Sequence, residues 1–194
     1  MELDLWSGPQ PVLSDGVITI GPWCHEDAAW IQETCRDPEI VRWSMVPGAE
    51  ELDDAQRYVD EIVPEFFASG LGVQLAIGEA SSGERLGAVG LLISDPENGV
   101  GEIGCYLSAP ARGAGAATRA IGLLGTWALD VVRLERLELH ILVGNEPSLR
   151  LAERCGYQLE GILRSRERRG EVRHDVALFS RLAPVEEVQS RGVR

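Results

Sequence analysis

The spacing of apolar residues along the chain changes several times, and each change marks an element. Val17-Ile18-Thr19-Ile20 is a short β-branched run ended by Gly21-Pro22, the composition of a strand. Asp27 to Cys35 reads as a helix, as does the stretch opened by Asp37-Pro38 with Ile40, Val41 and Trp43 on its apolar side. Over residues 51–69, Leu52, Ala55, Tyr58, Val59, Ile62 and Phe66 recur at spacings of three and four, which predicts one amphipathic helix. Its first half is acidic at Glu50, Glu51, Asp53 and Asp54, as a helix N-terminus prefers. The period then falls to two. Val73–Ile77, Leu86–Ile93 and Glu102–Leu107 predict strands joined by Ser81-Ser82-Gly83-Glu84 and by a loop ending in Asn98-Gly99, a strong hairpin signal. Short turns between consecutive strands make an antiparallel meander.

Gly115 to Val132 is a long apolar helix, and Leu137, Leu139, Ile141 and Val143 alternate along the next strand. Asn145-Glu146-Pro147-Ser148 starts a helix that Cys155-Gly156 stops. Residues 157–163 and 172–180 predict two final strands joined across Arg166-Glu167-Arg168-Arg169-Gly170. The order predicts an α/β (α+β) fold with a mixed, mostly antiparallel central sheet of about seven strands and helices on both faces. No repeat or linker divides the chain, so one domain is expected over residues 1–183, with a flexible C-terminal tail over 184–194.

Composition narrows the function. The chain has 194 residues, 44% hydrophobic and 25% charged, ordinary values for a globular domain. No apolar run approaches the ~20 residues of a membrane helix. Met1-Glu2-Leu3-Asp4 lacks the basic start of a signal peptide, and the expected location is cytoplasmic. Cys24, Cys35, Cys105 and Cys155 have no zinc-knuckle or redox-pair spacing, so no metal site is expected and each is read as structurally buried. A net charge of −13 argues against nucleic-acid binding. It suits a cationic substrate such as an amine, or serves solubility alone.

The chemistry is carried by Ala109-Pro110-Ala111-Arg112-Gly113-Ala114-Gly115-Ala116-Ala117-Thr118, between the third meander strand and the long helix. Five small residues leave the backbone bare where the helix begins. N–H groups of a first helical turn have no internal partner, and the dipole makes that end positive. Such an end takes phosphate, so a phosphorylated cofactor is expected; the competing reading is a tight helix start packed with small residues. Gly113-x-Gly115-x-x-Thr118 partly matches a dinucleotide fingerprint, but that motif closes the first strand of a βαβ unit, whereas this one follows a meander. No Gly-Lys-Ser/Thr follows, as a triphosphatase would need.

These residues resemble the acetyl-CoA signature of the GNAT N-acetyltransferases: Arg or Gln, two free positions, Gly, one free position, then Gly or Ala. Arg112, Gly115 and Ala117 fit it, after the strand Glu102-Ile103-Gly104-Cys105-Tyr106-Leu107. Thr118, Ala120, Asn145, Ser148, Cys155-Gly156-Tyr157 and the closing strand Asp175–Ser180 are similar to the RimJ/RimL-like branch. The resemblance spans residues 15–183. It implies the GNAT fold, acetyl-CoA as cofactor, and direct acetyl transfer to a primary amine in a ternary complex. The implied acceptor is a protein or peptide N-terminal α-amine. Alternatives are a small amine (aminoglycoside, polyamine or amino acid) and a non-catalytic CoA-binding module. The resemblance also implies pyrophosphate on Arg112, Gly113, Ala114, Gly115, Ala116, Ala117 and Thr118, and pantetheine laid along Cys105, Tyr106 and Leu107 where two central strands splay. It further implies Asn145 on the pantetheine amides, and a homodimer.

Acetyl transfer needs a neutral amine, a polarised carbonyl and a stabilised leaving thiolate. Glu102 is the best general-base candidate, with an ion-pair role as the alternative. Glu138 and His140 share one face of the next strand; His140 has a suitable intrinsic pKa but equally fits a structural role, and His25 and His174 have weaker claims. Ser148 is placed near the thiol, and both Ser148 and Asn145 also fit a helix-start capping role. Many GNAT enzymes carry a tyrosine on this helix, and none stands between 145 and 155; Tyr157 reads as core. Trp43 lines the acceptor pocket or belongs to the core. The arginine-rich stretch 164–173 reaches the cofactor's 3′-phosphate, a second subunit, or only water.

Overall fold

Strand alternation sorts side chains onto two faces of one sheet, and helices cover both. The structure, a computed structural model, describes residues 5–44, 49 and 51–184. Its strands are β1 (Leu13–Ser14), β2 (Ile18–Gly21), β3 (Gly72–Glu79), β4 (Arg85–Asp95), β5 (Val100–Leu107), β6 (Arg136–Leu142), β7 (Gln158–Arg169) and β8 (Val172–Leu182). Its helices are α1 (Ala28–Cys35), α2 (Pro38–Trp43), α3 (Leu52–Arg57), α4 (Val63–Ala68), α5 (Ala116–Asp130) and α6 (Glu146–Arg154). The sheet order is β1-β2-β3-β4-β5-β6-β8-β7. Only the β5–β6 pair is parallel, its crossover made by α5.

The sheet has eight strands where the pattern predicts about seven. The extra one, β1, is two residues long, too short for any periodic signal. The helix expected over 51–69 is interrupted by a π turn at Tyr58–Ile62. Pro64 gives the reason: it has no N–H, and its ring clashes with the carbonyl four residues back, so the turn before it widens. Glu50 and residues 185–194 lie outside the described residues, so the acidic helix start is seen only from Glu51 and the tail only at its first position.

One core lies under α5. Leu75 and Ile77 of β3, Val89 and Leu91 of β4 and Ile103 of β5 point into it and meet Leu124 and Ala128. Leu124 is 0% exposed, a burial worth about 2 kcal/mol. Ala76 and Ala88 point the other way, into a smaller cluster with α1, α3 and α4. Tyr157 is in the first core, as expected. At the sheet's end Trp6 meets Phe67 and Trp127 edge-on at 5.2 and 6.2 Å. Of the four cysteines expected to be buried, Cys35 is buried, Cys105 and Cys155 are half-buried, and Cys24 is exposed, its thiol 3.1 Å from Asp27.

The last hairpin departs most from expectation. β7 runs to Arg169, so the arginine-rich stretch is strand rather than loop, and the turn is confined to Gly170-Glu171. Its pairing with β8 shifts register twice, at Leu159/Gly161 and Leu163/Glu167. Among the described residues no helix is long and apolar enough to cross a membrane.

Asp15 fixes the β1–β2 turn to α5. Its carboxylate accepts from Val17 N and Ile18 N at 3.0 Å each and from Arg119 at 2.6 Å. The Ile18 amide, the Arg119 guanidinium and the Val17 amide together hold its pKa down to about 2. A depressed carboxylate pKa contributes stability above the unfolded value, lost as pH falls through the folded one. Asp15→Asn is therefore expected to cost about 1 kcal/mol at pH 7. In denaturant titrations the gap to wild type closes between pH 4 and pH 2.

Candidate active site

The parallel β5–β6 ladder holds for three pairs only: Val100↔Arg136, Gly101↔Leu137 and Glu102↔Glu138. Beyond it the strands diverge. β5 continues to Leu107 paired with β4 alone, and β6 continues to Leu142 paired with β8 alone. Gly104, in the middle of an eight-stranded sheet, is therefore exposed. A cavity of about 470 Å³ fills the opening, lined among others by Glu102, Cys105, His140, Asn145, Ser148 and Arg166. The β5 edge from Ile103 to Tyr106 has no strand partner on the β6 side, and its backbone groups there need partners. An extended amide chain laid there would be an added strand.

The small-residue loop lies at the end of that edge. Gly113 and Gly115 both adopt φ of +84°, a conformation open to glycine at little cost. Gly115 caps α5, and the first-turn N–H groups at Ala116, Ala117 and Thr118 face outward, an arrangement that cradles an anion. Arg112 is engaged otherwise. Its Nε donates to the Leu107 carbonyl at 3.1 Å, and Nη2 pairs with Asp37 at 2.9 Å. Its charge is matched by Asp37, so the loop's affinity for phosphate rests on backbone N–H groups and the α5 dipole.

Asn145 caps α6, its side chain accepting from Ser148 N at 3.4 Å. Among the described residues no hydrogen bond engages the Ser148 hydroxyl, which lines the cavity. Across from it stand the acids. Glu102 and Glu138 are direct register partners, and His140 lies between them, Nδ1 at 3.4 Å from Glu102 and Nε2 at 2.9 Å from Glu138. Glu138 is held by Arg136 at 2.7 Å, and Arg136 makes two further 2.7 Å contacts with Glu160. Burial pushes the Glu102 carboxyl above its ordinary range; His140 and Arg166 oppose this, Glu138 and Glu167 add to it. Burial with the nearby Cys155 pushes the Cys105 thiol up to about 12, so it is no thiolate nucleophile near neutral pH.

The roof joins two distant segments. Arg169 of β7 pairs with Glu167 at 2.6 Å and donates to the Arg42 carbonyl at 2.6 Å and the Val41 carbonyl at 3.3 Å. This clamps the hairpin to the end of α2 and brings Trp43 to the cavity, with Arg42 stacked 4.5 Å from its ring. The arginine-rich stretch thus covers the acid side of the site. A larger cavity of about 670 Å³ lies behind the loop. Of its lining arginines, Arg85 and Arg119 are bound to Asp27 and Asp15, and its lining does not include the open strand edge.

Glu102, Cys105, Tyr106, Asn145, Ser148 and Trp43 therefore meet at one cavity, while Leu107 and Arg112 close the end of the strand. The sequence alone shows neither the contact of His140 with both carboxylates nor the placement of Arg166 and Arg169 at the cavity. The period-two pattern put Glu138 and His140 on one face, but only the parallel register with Glu102 gives that face its meaning.

This fold and opening define an acyl-CoA transferase, and residues 18–158 match the model of the acetyltransferase (GNAT) domain. The chain belongs to the GNAT acetyltransferases, which use acetyl-CoA. It is 30% identical over 137 residues to YdaF of Bacillus subtilis (strain 168), provisionally named a ribosomal N-acetyltransferase, covering 69% of this chain and 74% of that protein. The ribosomal-protein-S5-alanine acetyltransferase of Vibrio fischeri superposes with a TM-score of 0.77 at 16% identity, covering 89% of this chain and 97% of the other. The spermidine N-acetyltransferase of Vibrio cholerae, in complex with CoA and spermine, superposes at 0.73 with 18% identity, covering 87% and 97%.

If the loop's N–H groups hold the cofactor, Gly115→Ala will weaken acetyl-CoA binding about tenfold or more by calorimetry. A Cβ there meets nothing within 4 Å, so the folding cost stays near that of a forced left-handed residue, about 1 kcal/mol.

Proposed function

We propose that the protein transfers acetyl from acetyl-CoA to an α-amine, presented by a peptide or protein N-terminus, by direct attack in a ternary complex. The carrying observation is the strand opening: it sets an unpaired strand edge and a raised carboxyl around one cavity, with the α5 N-terminus following at the end of that strand. The resemblance to the RimJ/RimL-like branch supports the α-amine.

When bound, acetyl-CoA supplies the acetyl group as a thioester whose sulfur is the leaving atom. Glu102 accepts a proton from the ammonium, directly or through one water, and leaves the nitrogen lone pair free to attack. Its raised pKa suits this task, because a base poised nearer neutrality removes the proton more readily than an ordinary carboxylate. His140 orients Glu102 and is held in turn by Glu138 and Arg136. Free N–H groups of the splayed β5 edge are placed to stabilise negative charge on the carbonyl oxygen. The Ser148 hydroxyl donates toward the departing sulfur. The proton-poor nucleophile alternative, an acyl-enzyme on Cys105, is opposed by the burial of that thiol.

Glu102→Gln should lower kcat about 100-fold and abolish the acidic limb of the kcat/KM–pH profile, since the base form is filled as pH rises through the raised pKa. His140→Gln removes an influence that lowers that pKa, so the limb moves to higher pH. Thiol release with N-terminal peptides reads both. An unchanged profile in both variants would remove Glu102 from the mechanism.

A further inference from the structure

We propose that the acceptor carries a carboxylate close to its reactive amine, and that Arg166 is the group that binds it. This rests on the amine-transfer reading above and adds the chemistry of the acceptor. Charges around the cavity can be followed one by one. Glu102 is met by His140, and Glu167 is taken by Arg169. Arg169 also gives Nη1 to the Val41 and Arg42 carbonyls. Arg166 lines the same cavity, and among the described residues no hydrogen bond or ion pair engages it. A carboxylate and an unspent guanidinium thus face one space, which is the complement of an ammonium with a nearby carboxylate.

Arg166 is placed there by a built feature. The register of β7 against β8 shifts between Leu163 and Glu167, leaving residues 164–166 out of the ladder. Bulges of this kind re-aim side chains. Ser165 sits at φ +51°, a left-handed conformation that a non-glycine residue keeps only when its surroundings fix it. Two side chains of β8 do so: Asp175 accepts from Ser165 N at 2.7 Å, and Arg173 donates to Ser165 O at 2.8 Å. The guanidinium stands on the acid side, where its charge is felt by Glu102. The cofactor's phosphates belong at the other end, on the Gly113–Thr118 backbone. An Arg fork binds a carboxylate through two parallel donors, which fixes direction as well as charge. The carboxylate has two sources, an acidic side chain near a peptide N-terminus or the α-carboxylate of a free amino acid.

The test compares matched acceptors under acetyl-CoA saturation: an Ala-Glu-led against an Ala-Gln-led peptide, and alanine against alaninamide. In at least one pair the carboxylate member should show kcat/KM about tenfold higher, the difference lying in KM. The pair that responds identifies the source. Arg166→Gln should bring that ratio to about 1, and Arg166→Lys should restore part of it. Ratios near 1 in both pairs for the wild-type protein, or a ratio that survives Arg166→Gln, overturn the proposal while leaving amine transfer intact. If none of the four acceptors is acetylated although acetyl-CoA binds, the amine-transfer reading itself fails and this proposal falls with it.

Discussion

The site depends on a ladder that stops. Parallel pairs are somewhat weaker per residue than antiparallel ones, and the β5–β6 pair ends at Glu102 opposite Glu138. That last pair sets two carboxylates opposite each other, an arrangement that is destabilising unless it is offset. His140 between the two carboxylates offsets part of the repulsion, and Arg136 with Glu160 takes up the far side. The end of the ladder opens the sheet into the cavity and leaves a partly buried carboxyl, with its proton affinity raised, at the opening.

Stability is not lost by leaving these backbone groups open, because the rest of the molecule is built to bear it. β4 carries most of β5 from the other side, with paired residues from Gly87↔Leu107 to Asp95↔Val100. The α5 core lies directly beneath, with Leu75, Ile77, Leu91, Leu124 and Leu137 at 0% exposure. Open strand edges invite pairing with other chains; here the edge is recessed in the sheet's middle and roofed by a hairpin, so access is restricted to a slender extended ligand.

Much of this was legible in the residues, and what was not has physical causes. The meander, the long helix and the glycine loop follow from local period and backbone chemistry, which a window of ten residues contains. The π turn before Pro64 is also local in cause, but the apolar repeat over 51–69 hides it. The splay is non-local: it needs the register of two strands separated by a whole helix. So does the weight of His140, which is an isolated histidine in sequence and a bridge between two carboxylates in space. Arg166 was hardest to place. Its direction is set by Asp175 and Arg173 acting on Ser165, and nothing in the run Arg164-Ser165-Arg166 announces a left-handed residue. Arg112 shows the converse: the motif marks it as a cation beside phosphate, whereas Asp37 already answers its charge.

That last point bears on how the cofactor is held. With Arg112 paired to Asp37 and Ala114 offering no charge, what the loop presents to an anion is N–H groups and the helix dipole, fixed dipoles rather than mobile ions. Fixed dipoles are less screened by salt than a surface lysine or arginine would be. The chain's −13 charge opposes an anionic cofactor at long range, so its recognition depends on close contact. An ammonium acceptor meets the opposite field and is drawn in by it. Arg166, which lines the cavity and among the described residues has no ion pair, is on the present proposal what discriminates among the amines that the acidic surface collects.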